Sequence, residues 1–169
     1  MKRLFTILLV LLTICLHAQK GDYSEDVVSV KSLTAAYYDC VSGPIGQVRD
    51  FDRLRNLFHP NAQLTYSYWS EEENMNKVMH MDIEGYIEKL DYLDKKGFYE
   101  KELYSKVETY GSIVQTISTY KFWMEDKTAE GRGFSSYNLF YDGERYWILS
   151  MFWMMESDKY PIPTAYLNE

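Results

Sequence analysis

The chain has 169 residues, 18 basic against 25 acidic side chains, and a formal net charge of −7. That length makes one domain with room for a buried core, and the acidic balance argues against nucleic acid or an anionic membrane surface as a partner. Aromatic residues make up 17% of the chain, including 16 tyrosines, and such side chains favour strands and the walls of pockets for small organic ligands.

Lys2 and Arg3 open the chain, an apolar run follows from Leu4 to Leu16, and small Ala18 ends it. Charged start, short apolar run and small-residue exit are the parts of a secretory signal. The run is shorter than the ~20 apolar residues a membrane-spanning helix needs. We expect a signal peptide over residues 1–18 and a single domain over 19–169, exported to the periplasm or secreted, with no stable membrane anchor after cleavage. Loss of Lys2 and Arg3 moves the net charge from −7 to −9. Cys15 leaves with the leader, and bulky Ile14 before it does not suit a lipid-attachment signal. Cys40 then has no disulfide partner and reads as a small buried apolar side chain on a helix.

Along the mature chain, "SEDVVSVKSLTAAYYDCVSGP" predicts a first helix capped by Ser24. Val27, Val30, Leu33, Tyr37 and Cys40 form one buried stripe, and Gly43 and Pro44 stop it. "DFDRLRNLF" predicts a short second helix capped by Asp50, with Phe51, Leu54, Leu57 and Phe58 on its apolar face. Pro60 disfavours helical geometry at His59, so His59 is expected where that helix ends, bonding its last free carbonyls. "AQLTYSYW" alternates as a strand, and "SEEENMNKV" reads as a polar excursion. A third helix starts at Asp82, with Ile83, Ile87, Leu90 and either Tyr86 or Leu93 facing inward, and Gly97 ends it. Four long strand segments follow: "FYEKELYSKVETYG", "SIVQTISTYKFWMED", "GRGFSSYNLFYDG" and "RYWILSMFWMME". Asp142-Gly143 is a strong hairpin signal between the last two. The tail "SDKYPIPTAYLNE" is expected to pack down.

Three helices and a run of long antiparallel strands make an α+β fold with the helices on one face of the sheet. Long hairpin-joined strands twist and curl. A strongly curved antiparallel sheet capped by helices is a cone, and its mouth is the natural ligand site.

The stretches "GQVRDFDRLRNLFHPNAQLTY", "GFYEKELYSKVETYGSIVQTISTYKF", "RGFSSYNLFYDGERYWILSMFW" and "IPTAYL" together resemble the nuclear transport factor 2-like superfamily, in its SnoaL-like branch, over nearly all of the mature chain. The resemblance implies a cone-shaped α+β barrel with a central cavity, often dimeric through the outer face of the sheet. It leaves function open, because the superfamily includes ketosteroid isomerases, polyketide cyclases and dehydratases beside ligand-binding and structural members, and fold does not decide among them. Ketosteroid isomerases carry a base Asp on the first strand, five residues after the residue that opens it. Here the strand opens at Asn61 and the matching position is Tyr66. A phenol with an ordinary pKa near ~10 is a poor base at neutral pH. Tyr37 or Tyr38 would match the isomerases' donor tyrosine.

Glu100 and Glu102 are the acid–base candidates. Two apart on a strand, they share a face. Facing inward, each would raise the other's pKa as a like charge; facing outward, they are a solvated edge. On the "RGFSSYNLF" strand, Arg132, Phe134, Ser136, Asn138 and Phe140 share a face. Ser136 and Asn138 between phenylalanines read either as polar groups in a pocket wall or as part of a dimer contact. Arg132 is a candidate partner for Glu100 or Glu102. On the last strand, Trp147, Leu149, Met151 and Trp153 alternate with Tyr146, Ile148, Ser150 and Phe152. Both sets are apolar, so both faces are expected to be covered, one by a second subunit.

No histidine or cysteine pair has metal-ligand spacing, no glycine-rich phosphate loop is present, and no cofactor is expected. The leading expectation is an exported small-molecule-binding cone domain. Its cavity would be lined by Tyr37, Tyr66, Glu100, Tyr120, Ser136, Asn138 and Trp153, and its ligand a small apolar or cyclic organic compound. The alternatives are a cofactor-independent lyase or isomerase using Glu100 or Glu102, with Tyr37 or Tyr66 as hydrogen-bond donor, and a non-catalytic structural homodimer.

Overall fold

The computed structural model describes residues 22–167, so the expected leader over 1–18 lies outside the described residues. Ser24–Val27 forms only a 3-10 turn, and its start has no side-chain cap. The first α-helix, α1, runs Val30–Val41 and is capped by Ser29 rather than Ser24. The reason is a reciprocal capping box: the Ser29 hydroxyl accepts from the Ser32 backbone N–H at 3.0 Å, and the Ser32 hydroxyl accepts from the Ser29 N–H at 3.1 Å. Helix α2 spans Phe51–Leu57, and the Asp50 carboxylate accepts from the Arg53 N–H at 2.9 Å, as expected. Helix α3 spans Ile83–Asp94, with Asp82 accepting from the Gly85 N–H. Tyr86 and Leu93 both turn toward the interior, Tyr86 buried and Leu93 half-buried.

Arginines tie these short helices into one cap. Arg53 grips Asp26 with two nitrogens, at 2.7 and 2.9 Å, and also pairs with Asp39 on α1. Arg55 grips Glu84 on α3 in the same way, at 2.7 and 2.8 Å. Two-pronged arginine–carboxylate pairs fix orientation as well as distance.

Six strands follow: β1 (Phe58–Ser70), β2 (Met75–Met81), β3 (Phe98–Tyr110), β4 (Ile113–Met124), β5 (Glu130–Tyr141) and β6 (Tyr146–Met155). They form one curved sheet in the order β2-β1-β6-β5-β4-β3. All neighbours are antiparallel except β1 and β6, which run parallel. The α+β cone expected from the sequence is present, with that one parallel pair inside it. Strand β2 falls largely in the stretch read as a polar excursion. It is an edge strand with little burial, so it lacks the apolar alternation that marks a half-buried strand. Its turn is made by Asn74, at φ +52°.

His59 does lie where the second helix ends, directly after its C-cap Phe58, but it does not bond the helix's last carbonyls. Helix α2 stops at Leu57 and the chain extends at once into β1, which suits a residue before proline. The His59 Nδ1 accepts from the Asn61 N–H at 3.2 Å, and its ring meets Trp147 edge-on at 5.9 Å. Its role is local packing, not carbonyl capping. The tail does pack down. The Tyr166 carbonyl accepts from the Thr119 hydroxyl at 2.6 Å, and the Tyr166 ring stands edge-on against Tyr104 and Phe134.

Core residues from all layers meet between the cap and the concave sheet face, among them Leu33, Leu54, Leu64, Leu90, Val114, Tyr137 and Ile148. One part of that concave face is deliberately empty of side chains. On β5, Gly131 and Gly133 occupy inward positions opposite Phe122 and Tyr120 of β4. The Tyr120 ring lies directly over Gly133, where a Cβ would overlap it, and a Cβ on Gly131 would come within 2.9 Å of Phe122. The two rings lie flat across the glycines instead of standing into the cone. Gly133→Ala should therefore lift Tyr120 off the sheet. Overpacking of this kind costs about 1–3 kcal/mol, and thermal denaturation should read it as a midpoint several degrees lower.

Candidate functional site

Because those two rings lie flat, the mouth of the cone stays open. The resulting hollow has a volume of about 530 Å³. Its walls come from β1 and β6 (Tyr66, Trp153), helix α3 (Tyr86, Leu90), and β3 and β4 (Phe98, Glu100, Tyr120, Phe122). Four methionines, Met79, Met81, Met124 and Met155, complete the apolar lining, and such side chains adapt to varied shapes. Rings contact one another around the wall. Tyr66 lies 5.7 Å from Trp153, and Trp153 meets Tyr86 edge-on at 5.8 Å.

Of the residues expected to line a cavity, the structure brings Tyr66, Glu100, Tyr120 and Trp153 together. Tyr37 stands one layer back. It is buried, and its hydroxyl is 2.6 Å from the Tyr86 hydroxyl, so it supports the wall without forming it. Ser136 and Asn138 are on the other side of the sheet. On β5 the inward set is Gly133, Ser135, Tyr137 and Leu139, all buried, while Asn138 is exposed and donates to the Ser150 hydroxyl at 2.8 Å. The expectation that Ser136 and Asn138 line the pocket is corrected. The pleat puts the core on the odd-numbered residues, and both sets looked mixed enough in sequence to be the wall. On β6 a one-residue bulge has a similar effect. Asn138 pairs with Ser150 and Leu139 with Ile148, so Leu149 is extra. Ile148, Met151 and Trp153 then face inward, rather than Met151 and Trp153 with Leu149.

Glu100 is the chemically distinctive residue. Among the described residues, nothing hydrogen-bonds or ion-pairs with its carboxyl group; only its backbone is engaged, with the Ser42 hydroxyl. The side chain keeps some accessible surface because it faces the hollow. Protein nevertheless surrounds the carboxyl, and this burial alone pushes its pKa up to about 8. Like-charge repulsion from Glu102, the cause anticipated from sequence, is not the reason. Glu102 turns away from the hollow and accepts from the Ser118 hydroxyl at 2.8 Å, which in turn lies 2.8 Å from the Tyr38 hydroxyl. Arg132 is not the partner of either glutamate: it pairs with Glu156 at 2.7 Å.

Tyr66, at the isomerases' base position, has its pKa raised further by burial and by neighbouring Tyr68. It serves as a hydrogen-bond donor and an apolar face. Cys40 is buried, and desolvation pushes its thiol up to about 12, so it is the inert side chain expected. Sequence reading missed Phe98, Phe122 and Tyr86. The first two stand two residues from Glu100 and Tyr120 on the same strand faces, so strand periodicity alone would have found them.

Fold and site together define a cone-shaped α+β domain with an open, apolar, aromatic hollow that holds the Glu100 carboxyl. No family model matches the chain, and no curated protein matches it in sequence. Solved structures do match in shape. A nuclear transport factor 2-like protein of unknown function from Shewanella baltica is 13% identical, with a TM-score of 0.53 over 76% of this chain and 91% of that one. Nuclear transport factor 2 from Cryptosporidium parvum is 14% identical, with a TM-score of 0.52 over 75% and 90%. A Nostoc punctiforme protein of unknown function with a cystatin-like fold is 9% identical, with a TM-score of 0.58 over 76% and 90%. The likeness is one of fold, and the fold is that of the nuclear transport factor 2-like proteins.

The burial of Glu100 has a measurable consequence. Its folded-state pKa lies above the ordinary carboxylate value. Below about pH 4 the group is neutral in both folded and unfolded chains and costs nothing. As pH rises toward 8, the unfolded chain gains a solvated charge that the folded chain lacks, and stability falls. Glu100→Gln should melt higher than the wild type at pH 8 and match it at pH 4, measured by thermal denaturation in a pH series.

Proposed function

We propose that this protein binds a small, mostly apolar organic molecule in the Glu100 hollow. The observation that carries the reading is the hollow itself: about 530 Å³, walled by rings and methionines, with the Glu100 carboxyl set among them and Glu130 and Lys89 at the rim. Pockets of this size with few convergent polar groups are the usual form of a small-molecule site. The polar groups available to orient a ligand are the Glu100 carboxyl and the hydroxyls of Tyr66 and Tyr120.

One observation favours a second reading, acid–base catalysis without a cofactor. The Glu100 carboxyl titrates at about 8, near the pH at which a proton carrier works best. On this reading Glu100 is the proton carrier and Tyr66 the hydrogen-bond donor. Glu102 and Tyr37, the other members of that set, are engaged with Ser118 and Tyr86. A panel of cyclic apolar alcohols and ketones, added at saturating concentration, separates the readings. Binding at a hundredfold excess over Kd stabilises by about 2.7 kcal/mol, so a ligand should raise the melting midpoint by several degrees. A panel without any shift would sink the binding reading. A bound ketone that exchanges α-hydrogen for deuterium in D2O with the wild type, and not with Glu100→Gln, would make the hollow an active site.

The protein is further proposed to act after export, as a homodimer joined through the outer sheet face. The composition of residues 1–18 supports export. Support for the dimer comes from Ile113, Leu149 and Phe152, which stand 65%, 38% and 49% exposed on the single chain. Expressed with its leader in a bacterium, the protein should be recovered from the periplasm beginning at Gln19, by mass spectrometry. The same sample should scatter light as a dimer at micromolar concentration, and Phe152→Glu should scatter as a monomer. A monomeric wild type would count against the dimer.

A further inference from the structure

We propose that the ligand of this hollow is an organic cation: an apolar, ring-sized amine whose ammonium group pairs with the Glu100 carboxylate and lies against the surrounding aromatic faces. The inference rests on the small-molecule reading and narrows it to one charge class.

A carboxyl group withdrawn from water without a donor is costly to the protein. Glu100 is in that position, since none of the described residues bonds its carboxyl. Six aromatic side chains share the hollow with it: Tyr66, Tyr86, Phe98, Tyr120, Phe122 and Trp153. Ring faces attract cations, most strongly where water is excluded. An unpaired carboxyl inside a ring of aromatic faces is the complement of an ammonium group on an apolar body. A neutral hydrocarbon would leave Glu100 as unsatisfied as before. An anion would meet Glu100 inside, Glu130 at the rim and a net negative protein outside.

The protein's own cations do not take this place. Arg49 is buried nearby but directs its guanidinium to the Phe98 carbonyl at 3.3 Å, and it contributes nothing to the Glu100 titration. Lys89 lies on the exposed side of α3 at the rim. Beyond Tyr66 on the wall and Tyr38 farther back, the titratable groups facing Glu100 include the phenols of Tyr37 and Tyr86 from the helices and of Tyr120 and Tyr137 from the sheet. Each is pushed upward by burial first and by the nearby Glu100 charge second or third. All four stay neutral, so none competes for the ammonium group as an anion.

Pairing requires the carboxylate form. A Glu100 that is neutral in the empty hollow gives its proton to the buffer as the ammonium group arrives with its own protons intact. Binding near pH 6.5 should therefore release close to one proton per amine.

Four compounds of one shape test this: 1-adamantanamine, 1-adamantanol, 2-adamantanone and 1-adamantanecarboxylate, titrated calorimetrically into the purified protein in phosphate and in Tris. The amine should bind at least about tenfold tighter than the alcohol or ketone, and the carboxylate weakest. The two buffers should report proton release for the amine alone. In Glu100→Gln the amine's advantage and the proton release should both vanish while alcohol binding persists, which also shows that the variant folds. Alcohol or ketone binding with no advantage for the amine overturns the charge assignment and leaves the small-molecule reading standing. An advantage that survives in Glu100→Gln overturns it as well. Failure of all four compounds overturns it too, and the panel of alcohols and ketones then decides the broader reading by itself.

Discussion

The site depends on one packing constraint, the contact of the Tyr120 and Phe122 rings with the bare backbone at Gly133 and Gly131. A curled sheet closes around whatever its concave face carries. Side chains at those two positions would have met the rings, tilted them inward and filled the mouth of the cone. Their absence lets the rings lie down, and the space above them is the hollow. Interiors are otherwise packed to near-crystalline density, so an opening of about 530 Å³ has a local cause. Behind the opening, the Tyr37–Tyr86 hydroxyl pair and the Arg53 and Arg55 clamps hold the helices of the cap to one another, and the Tyr38–Ser118 and Ser42–Glu100 hydrogen bonds join the cap to the sheet. The hollow is open at one end and supported at the other.

Electrostatics follow from that geometry. Two glutamates on one strand face have different fates because one reaches a donor and the other does not. Glu102 finds the Ser118 hydroxyl at 2.8 Å. Glu100, two residues away at the hollow, finds aromatic and apolar side chains and, among the described residues, no bond to its carboxyl, and burial makes it a weak acid. Identical side chains are given different chemistry by about one turn of strand pleat. The cost falls on stability as pH rises from the ordinary carboxylate range toward 8, and strongly perturbed groups of this kind cluster at functional sites.

Most of the fold was legible in the chain. Asp50 and Asp82 marked true helix starts, the long alternating strands were read in place, and the hairpin at Asp142-Gly143 is where it was expected, with Gly143 at φ +107°. These are local signals, set by capping and by side-chain period. The failures also had local causes. Ser24 had the right chemistry to cap a helix, but Ser29 and Ser32 made the better reciprocal pair. Strand β2 carried too little apolar pattern because it buries so little. Tyr66, Glu100, Tyr120 and Trp153 meet at the hollow, whereas Ser136 and Asn138 stand on the other side of β5.

By itself, then, the sequence determined the element order, the curvature that long paired strands impose, and the chemical character of a site rich in rings with a glutamate among them. Only the tertiary structure decided which face of each strand met the cap. Strand period is two, so a sheet with apolar residues on both faces satisfies either choice equally well locally. The choice is made by long-range contacts: Tyr137 and Leu139 of β5 bury against the helices, and the bulge at Leu149 switches the face of β6. The same long-range packing leaves Glu100 without a donor, a fact that no stretch of its own strand could reveal.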